Sequence, residues 1–103
     1  MILVDARCAI LPEREHDFIA EVQKIIPIVR RENGCIRYEL FTGVHVSGVF
    51  HFIEEWESEK HLDNHIAQSH MQDYFAKTAL WHSSPTQLKI YEILSSQSIT
   101  MNE

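Results

Sequence analysis

The sequence is poor in the features that mark several classes of protein. Its 103 residues include only two cysteines, and no C-x-x-C pair is present. Such a chain has no disulfide framework, so Cys8 and Cys35 are predicted to be buried, reduced thiols that act as small apolar residues rather than as nucleophiles. Nine basic residues against fifteen acidic ones give a net charge of −6. That balance leaves no electrostatic footprint for a nucleic-acid or membrane partner.

Long apolar runs and nucleotide-binding motifs are also missing. The apolar stretches fall far short of a membrane span, and Asp5 and Arg7 interrupt the first eleven residues, unlike the apolar core of a signal peptide. Without a glycine-rich phosphate loop or a G-x-S-x-G elbow, nucleotide binding and serine hydrolysis lack support. The 45% of hydrophobic residues suffices for one core. We expect a single cytoplasmic domain that is an enzyme or a binding protein.

The hydrophobic pattern predicts a strand, a helix, two strands, two short helices and a last strand. Residues 2–11 place alternate apolar side chains on one face of a strand. Pro12 suits the first turn of the helix that follows. Its apolar stripe consists of Phe18, Ile19, Val22, Ile25, Ile26 and Val29. Pro27 is expected to kink or loosen this helix, and Asn33-Gly34 to end it.

The second half of the chain continues the alternation. Residues 35–41 form a predicted strand with Ile36, Tyr38 and Leu40 on one face, and residues 49–56 form the next strand. Ser58 and Ser69 are candidate caps of two helices. Residues 88–94 form the predicted last strand. We expect a domain over residues 1–95 and a polar tail over residues 96–103.

This βαββαβ order is typical of the ferredoxin-like α+β fold, which has helices on one face of an antiparallel sheet. The other face of such a sheet is ordinarily polar. Here Val49 and Ile53 lie opposite the face of Phe50 and Phe52, so both faces carry apolar groups. A second copy of the chain is the simplest cover, which predicts a homodimer.

Two residues of the central segment are candidates for chemistry. Strand alternation places Glu54 between Phe52 and Trp56 on the predicted buried face. Apolar surroundings would raise the pKa of its carboxyl and suit it to act as a general base, whereas a strand that ended earlier would leave it solvated. His65 shares the apolar stripe of the following helix with Leu62, and it serves as base, acid or donor or is a hydrogen-bonded core residue. Both side chains are expected to point into one space.

Other residues are weaker candidates. Four aromatic side chains are predicted to form core or the wall of a pocket for a flat ring, namely Tyr38, Phe52, Trp56 and Tyr74. His70, near a helix start, is a second-rank candidate for the pocket. His61 and His65 have the i, i+4 spacing of metal ligands, but no third ligand is evident, so no metal site is predicted.

The central segment resembles a known family. The run E-E-W-E-S at residues 54–58, followed by Leu62, His65, Ser69 and His70, is similar to the E-x-W-x-S…L…H…S-x-H pattern of the antibiotic biosynthesis monooxygenase family. Residues 12–18 and 33–38 also resemble the family's pattern. The resemblance implies a dimeric α/β barrel, in which two ferredoxin-like sheets pack together.

The resemblance also implies an activity. It suggests a monooxygenase without any bound cofactor, in which the anion of a small phenol or quinol reduces dioxygen. Glu54 and His65 would then be catalytic, and Tyr38, Phe52, Trp56, His70 and Tyr74 would bind the substrate. The haem-degrading branch of the fold is disfavoured, because Ala6 and Arg7 stand where its asparagine would fall and residues 74–76 lack its histidine.

Two alternatives fit the same pocket. One is an isomerase that moves a proton in a small phosphorylated hydroxydione through an enediol, with Arg37 or Lys77 holding the phosphate. The other is a dimeric ligand-binding module without catalysis. Fold similarity alone does not decide between these classes.

Overall fold

The computed structural model describes residues 1–102 and contains four strands and three helices among them. In chain order they are β1 (Ile2–Ala9), α1 (Glu15–Val29), β2 (Cys35–Thr42), β3 (Val49–Trp56), α2 (Glu59–Ala67), α3 (Ser69–Thr78) and β4 (Gln87–Glu92). Single 3₁₀ turns precede α1 and follow α3. The strands pair antiparallel in the order β2-β3-β1-β4. The predicted ferredoxin-like α+β fold is confirmed.

The core lies between the sheet and the helices. Alternate residues of β1 and β3 are buried on this side of the sheet, and they include Val4, Phe50 and Phe52. Phe18 of α1 is fully buried, and its ring centroid lies 5.1 Å from that of Phe50 and 6.3 Å from that of Phe52. This aromatic layer fixes α1 on the sheet and leaves α2 and α3 to cover the other half of the same face.

One of the two predicted helix caps is correct. The Ser58 side chain accepts a hydrogen bond from the backbone N–H of His61 at the start of α2. Ser69 is instead the first residue of α3, and its side chain makes no capping bond. The backbone carbonyl of Gln68 accepts from the N–H groups of Met71 and Gln72. Helices α2 and α3 are therefore separated by a single extended residue, which brings the start of α3 beside the end of α2.

The turn between α1 and β2 requires its glycine. Gly34 has a φ of +84°, and a Cβ atom there would overlap the His61 ring. The helix before this turn continues through Pro27 and ends at Val29. Strand β2 then begins with a bulge, at which Ile36 is skipped in the pairing and is 52% exposed. Ile36 thus does not share the buried face of Tyr38, contrary to the sequence expectation, because a bulge breaks the alternation.

Strand β4 is shorter than predicted. Strand β4 ends at Glu92, which pairs with Ile2 of β1, and the N–H of Ile93 donates to the carbonyl of Met1. Residues 93–102 form no helix or strand, and residue 103 of the predicted tail lies outside the described residues.

The outer face of the sheet is the face that points away from the helices. Phe41 and Tyr91 are exposed on this face. Within residues 1–102, no helix is both long and apolar enough to cross a membrane.

Candidate active site

A cavity of about 280 Å³ opens between the sheet and helices α2 and α3. Most of its wall is apolar, with contributions from Phe52, Leu62, Ile66 and Met71. A dry cavity of about 150 Å³ already accommodates benzene. The cavity is therefore large enough for a molecule of one or two rings. Its few polar groups can fix the orientation of that molecule.

Glu54 lies on the wall of this cavity and is 4% exposed. Its Oε1 atom accepts a hydrogen bond of 2.9 Å from Nε1 of Trp56. Burial raises the pKa of the Glu54 carboxyl to about 7, an effect that the Trp56 hydrogen bond opposes and the charge of Glu32 reinforces. The predicted burial of Glu54 is confirmed, and near neutral pH both of its protonation states are populated.

Trp56 was predicted to form core or cavity wall, and the structure places it in the core and not on the wall. It is completely buried at the end of β3, where it pairs with Cys35. Its ring centroid is 4.6 Å from that of His65, at an interplanar angle of 32°. Because neighbouring residues enclose the indole, it cannot contact a ligand in the cavity. Trp56 instead holds Glu54 through its N–H and supports His65 through its ring.

His65 faces the same cavity from α2 and is 3% exposed. Its Nδ1 atom lies 2.9 Å from Oε2 and 3.0 Å from Oε1 of Glu32. An ionised carboxylate can only accept, so Nδ1 carries the hydrogen and Nε2 keeps a lone pair. Burial lowers the pKa of His65 below its ordinary 6.5, while Glu32 opposes the change. The imidazole is therefore mainly neutral at neutral pH.

Glu32 was not predicted as a site residue. It lies in the turn after α1, where its backbone N–H donates to the carbonyl of Val29. A signal was nevertheless present in the sequence, since an acidic residue just beyond the end of a helix faces the negative end of the helix dipole. Such a placement indicates a compensating partner elsewhere in the fold.

His70 lies beside this carboxylate and not on the cavity wall. Its Nε2 atom is 2.8 Å from Oε2 of Glu32, and its side chain is 24% exposed. His70 therefore does not line this cavity, and its contact with a substrate stays a prediction. The start of α3 points the imidazole toward the turn that carries Glu32.

Three of the predicted pocket residues do line the cavity, namely Tyr38, Phe52 and Tyr74. Burial raises the pKa of both tyrosine hydroxyls, so each stays protonated and can donate a hydrogen bond. Cys8 also lines the cavity. Burial raises the pKa of its thiol, as expected for a cysteine that packs rather than reacts.

No lysine or arginine of the described chain lines the cavity. Arg37 lies on the outer face of the sheet, 3.5 Å from Glu39 and Glu55, and Lys77 lies 2.7 Å from Glu21. The expectation that Arg37 or Lys77 would hold a phosphate in this pocket is wrong, since strand alternation turns Arg37 away and Lys77 contacts α1. Residues 1–102 also contain no cluster of three side chains suited to a metal ion.

The hydrogen bond between Trp56 and Glu54 can be tested by removing its donor. Trp56→Phe should raise the pKa of Glu54 further above about 7, because the indole N–H stabilises the charged carboxylate. Carbon NMR titration of the Glu54 carboxyl measures this change. Trp81→Phe is the matched control, since Trp81 lies near Arg14 in the 3₁₀ turn that follows α3. An unchanged titration in Trp56→Phe would show that the bond has no electrostatic role.

The buried carboxyl should also make stability depend on pH. The pKa of Glu54 is about 7 in the folded chain against an ordinary 4.5, so the folded state binds the extra proton between these values. The unfolding free energy should then fall as pH rises through this window, by up to roughly 3 kcal/mol relative to Glu54→Gln. Urea unfolding across the window measures the difference, with exposed Glu57→Gln as control. Parallel pH curves for the wild type and Glu54→Gln would contradict the placement.

Comparisons with known proteins agree with this architecture. The family model described as antibiotic biosynthesis monooxygenase matches residues 1–77. The curated Bacillus subtilis protein named Putative monooxygenase YcnE is 31% identical over 85 residues, which cover 82% of this chain and 90% of that protein.

Solved structures show the same similarity. A crystal structure described as an antibiotic biosynthesis monooxygenase superposes with a TM-score of 0.86 at 25% identity, covering 92% of this chain and all of the other. Rv0793 from Mycobacterium tuberculosis gives a TM-score of 0.86 at 25% identity, covering 94% of this chain and 98% of that chain. The cavity, the β3 segment with Glu54 and Trp56, and the sequence match lead to one conclusion: this chain belongs to the antibiotic biosynthesis monooxygenase family.

Proposed function

We propose that this protein is a cofactor-independent monooxygenase that oxidises a small phenolic or quinol-type molecule. The observation that carries the proposal is the pairing, on one apolar cavity wall, of a carboxyl with a pKa of about 7 and a neutral imidazole. The family match supports oxygenase chemistry. The lack of lysine and arginine on the wall, within the described residues, favours a neutral ring over a phosphorylated substrate.

The first step is removal of the phenolic proton. His65 would accept it at Nε2, because its Nδ1–H is already donated to Glu32 and the charge of Glu32 stabilises the imidazolium that forms. The substrate O–H bond breaks and an N–H bond forms. Tyr38 and Tyr74, which keep their protons, would donate hydrogen bonds to the resulting phenolate oxygen.

The phenolate would then reduce dioxygen itself. A ring carbon forms a bond to one oxygen atom, and the protonated carboxyl of Glu54 gives its proton to the peroxide that results. Glu54 next removes the hydrogen of that carbon as the O–O bond breaks, and His65 returns its proton to the departing hydroxide. One oxygen atom remains in the quinone and the other leaves as water. The ring supplies all the electrons, and the apolar wall keeps bulk water out.

Oxygen dependence and the pH profile test this function together. A panel of one- and two-ring hydroquinones and naphthols should be oxidised only with dioxygen present, with label from isotopic dioxygen entering the product. His65→Gln should lower kcat/KM by about 10²- to 10⁴-fold, whereas His45→Gln, in an exposed loop, should change it little. The kcat/KM profile should rise as His65 loses its proton below 6.5 and fall as Glu54 ionises near 7. Glu54→Gln should also lower kcat/KM, and the activity that remains should no longer fall near pH 7.

Three results would contradict parts of the proposal. Equal product formation without dioxygen would refute the oxygenase reaction and favour an isomerase. A kcat/KM that rises instead of falling near pH 7, with that rise absent from the residual activity of Glu54→Gln, would make Glu54 the base for the phenolic proton. Binding of the panel without turnover, unchanged when Glu54 and His65 are both replaced by alanine, would indicate a ligand-binding module.

We further propose a homodimer formed through the outer face of the sheet. Phe41 and Tyr91 are exposed on this face, and Ile53 lies at its centre between them. The nearby polar groups of Asp5 and His51 already pair at 2.6 Å, so covering them leaves little hydrogen-bonding capacity unmet. A second copy offers the same mixed face, as a two-fold contact requires.

One charge should separate the proposed dimer. Sedimentation equilibrium should give twice the 12.1 kDa chain mass for the wild type. Ile53→Lys should shift it to the monomer mass, because the new charge would be buried at the contact, while Asp5 and Glu39 beside it keep the free monomer stable. Val44→Lys, in a loop and 93% exposed, is the control. A wild-type chain that sediments as a monomer would contradict this assembly.

A further inference from the structure

Glu32 and His70, from separate elements, meet on the side of His65 that faces away from the cavity. Glu32 comes from the turn after α1, and its side chain is only 9% exposed. Both of its oxygens lie within 3.0 Å of Nδ1 of His65, and Oε2 also lies 2.8 Å from Nε2 of His70. Since a carboxylate has no hydrogen to give, both imidazoles donate to it. The network therefore permits only one neutral tautomer of His65, the one with hydrogen on Nδ1.

His65 separates two different environments. It lines the apolar cavity and also a polar surface cleft, which it shares with Glu32, Asn33 and Gln68. Glu32 and His70 do not line the apolar cavity. A ligand held there would contact the imidazole but not the carboxylate, so Glu32 can influence such a ligand only through His65.

Packing alone already fixes the orientation of the imidazole. Its ring centroid lies 4.6 Å from that of Trp56 and 5.5 Å from that of Tyr38. A neutral imidazole in this clamp needs only a neutral acceptor for its Nδ1–H, such as an amide oxygen. A buried carboxylate beyond the end of α1 is a costly choice for that purpose, because burial and the helix dipole both disfavour its charge. The charge stabilises the network most when His65 itself becomes positive.

We propose that Glu32 is a positioning residue for His65. It holds the hydrogen on Nδ1, so that the lone pair of Nε2 is available to the cavity, and it stabilises the imidazolium formed when Nε2 takes a proton from a substrate hydroxyl. His70 donates a second hydrogen bond to the same carboxylate and so competes with His65 for it. The catalytic consequence rests on the proposed function, whereas the tautomer and the basicity of His65 do not.

Four titratable groups face His65 from the elements packed against it. They are Glu32 on the turn, His70 on α3, Tyr38 on β2 and Glu54, which lines the same cavity from β3. Glu32 favours the charged imidazole, and protonated His70 disfavours it. Tyr38 remains neutral because burial raises its pKa. The two groups of the network should therefore change the titration of His65 in opposite directions.

Nitrogen NMR of the histidine rings tests the inference without any substrate. The wild type should show His65 protonated on Nδ1 at neutral pH. Glu32→Gln should lower the pKa of His65 and mix its tautomers, because the charged acceptor is lost. His70→Ala should raise that pKa, because a competing donor and a positive charge are lost. Glu57→Gln is the matched control, since Glu57 is an exposed carboxylate 3.8 Å from a different imidazole, that of His61.

Turnover gives the second readout. In Glu32→Gln, kcat should fall about 10- to 100-fold, the order of effect seen when the hydrogen-bond partner that sets the tautomer and basicity of a functional imidazole is removed. KM should stay nearly constant, and the low-pH limb of kcat/KM should move to lower pH. A loss confined to KM would overturn the inference, because it would indicate altered binding rather than an altered base.

The NMR outcomes decide the inference independently of the proposed function. An unchanged tautomer and pKa of His65 in folded Glu32→Gln would overturn it. If Glu32→Gln does not fold, His70→Ala decides: a raised His65 pKa supports the network and an unchanged one overturns it. Absence of turnover in the wild type would refute the proposed function but would leave the NMR test intact.

Discussion

The site depends on one hydrogen bond inside an apolar layer, from the indole of Trp56 to the carboxyl of Glu54. A carboxylate buried with so few partners is unfavourable by several kcal/mol, and a carboxyl in that position binds a proton instead. The single donor from Trp56 offsets only part of this penalty, which leaves the pKa of Glu54 at about 7. The same β3 alternation that builds the core thus produces an acid that can gain or lose its proton near neutral pH.

The surrounding fold serves to keep one side of His65 dry and the other polar. Helix α2 carries His65 and is placed by its Ser58 cap and by the close approach of Gly34 to His61. The turn that contains Gly34 also carries Glu32. One backbone turn therefore determines both where α2 lies against the sheet and which carboxylate meets its imidazole. A side chain at position 34 would disturb both at once.

Local periodicity was enough to predict the fold, the burial of Glu54 and the inward direction of His65, because strand and helix repeats assign faces directly. Periodicity assigns a side chain to a face of the sheet, but it does not tell whether the side chain belongs to the core or to a cavity wall on that face. It therefore could not show that Trp56 lies behind the cavity wall. Local periodicity also does not predict contacts between elements that are far apart in the sequence. Glu32 and His65 are 33 positions apart, and only the packed structure brings that turn to that helix. The bulge at Ile36 was missed for a similar reason, since the sequence pattern there is compatible with an unbroken strand.

The proposed function requires the apolar cavity to hold a phenolic ring with its hydroxyl at His65 and Glu54. A crystal structure of the protein with a one-ring hydroquinone, prepared without dioxygen so that the ring survives, tests it most directly. We expect the ring to lie between Phe52 and Tyr74, with one hydroxyl oxygen within hydrogen-bonding distance of Nε2 of His65. A ring bound outside the cavity, or inside it with both hydroxyls directed away from His65 and Glu54, would show that these two residues do not act on a phenolic substrate.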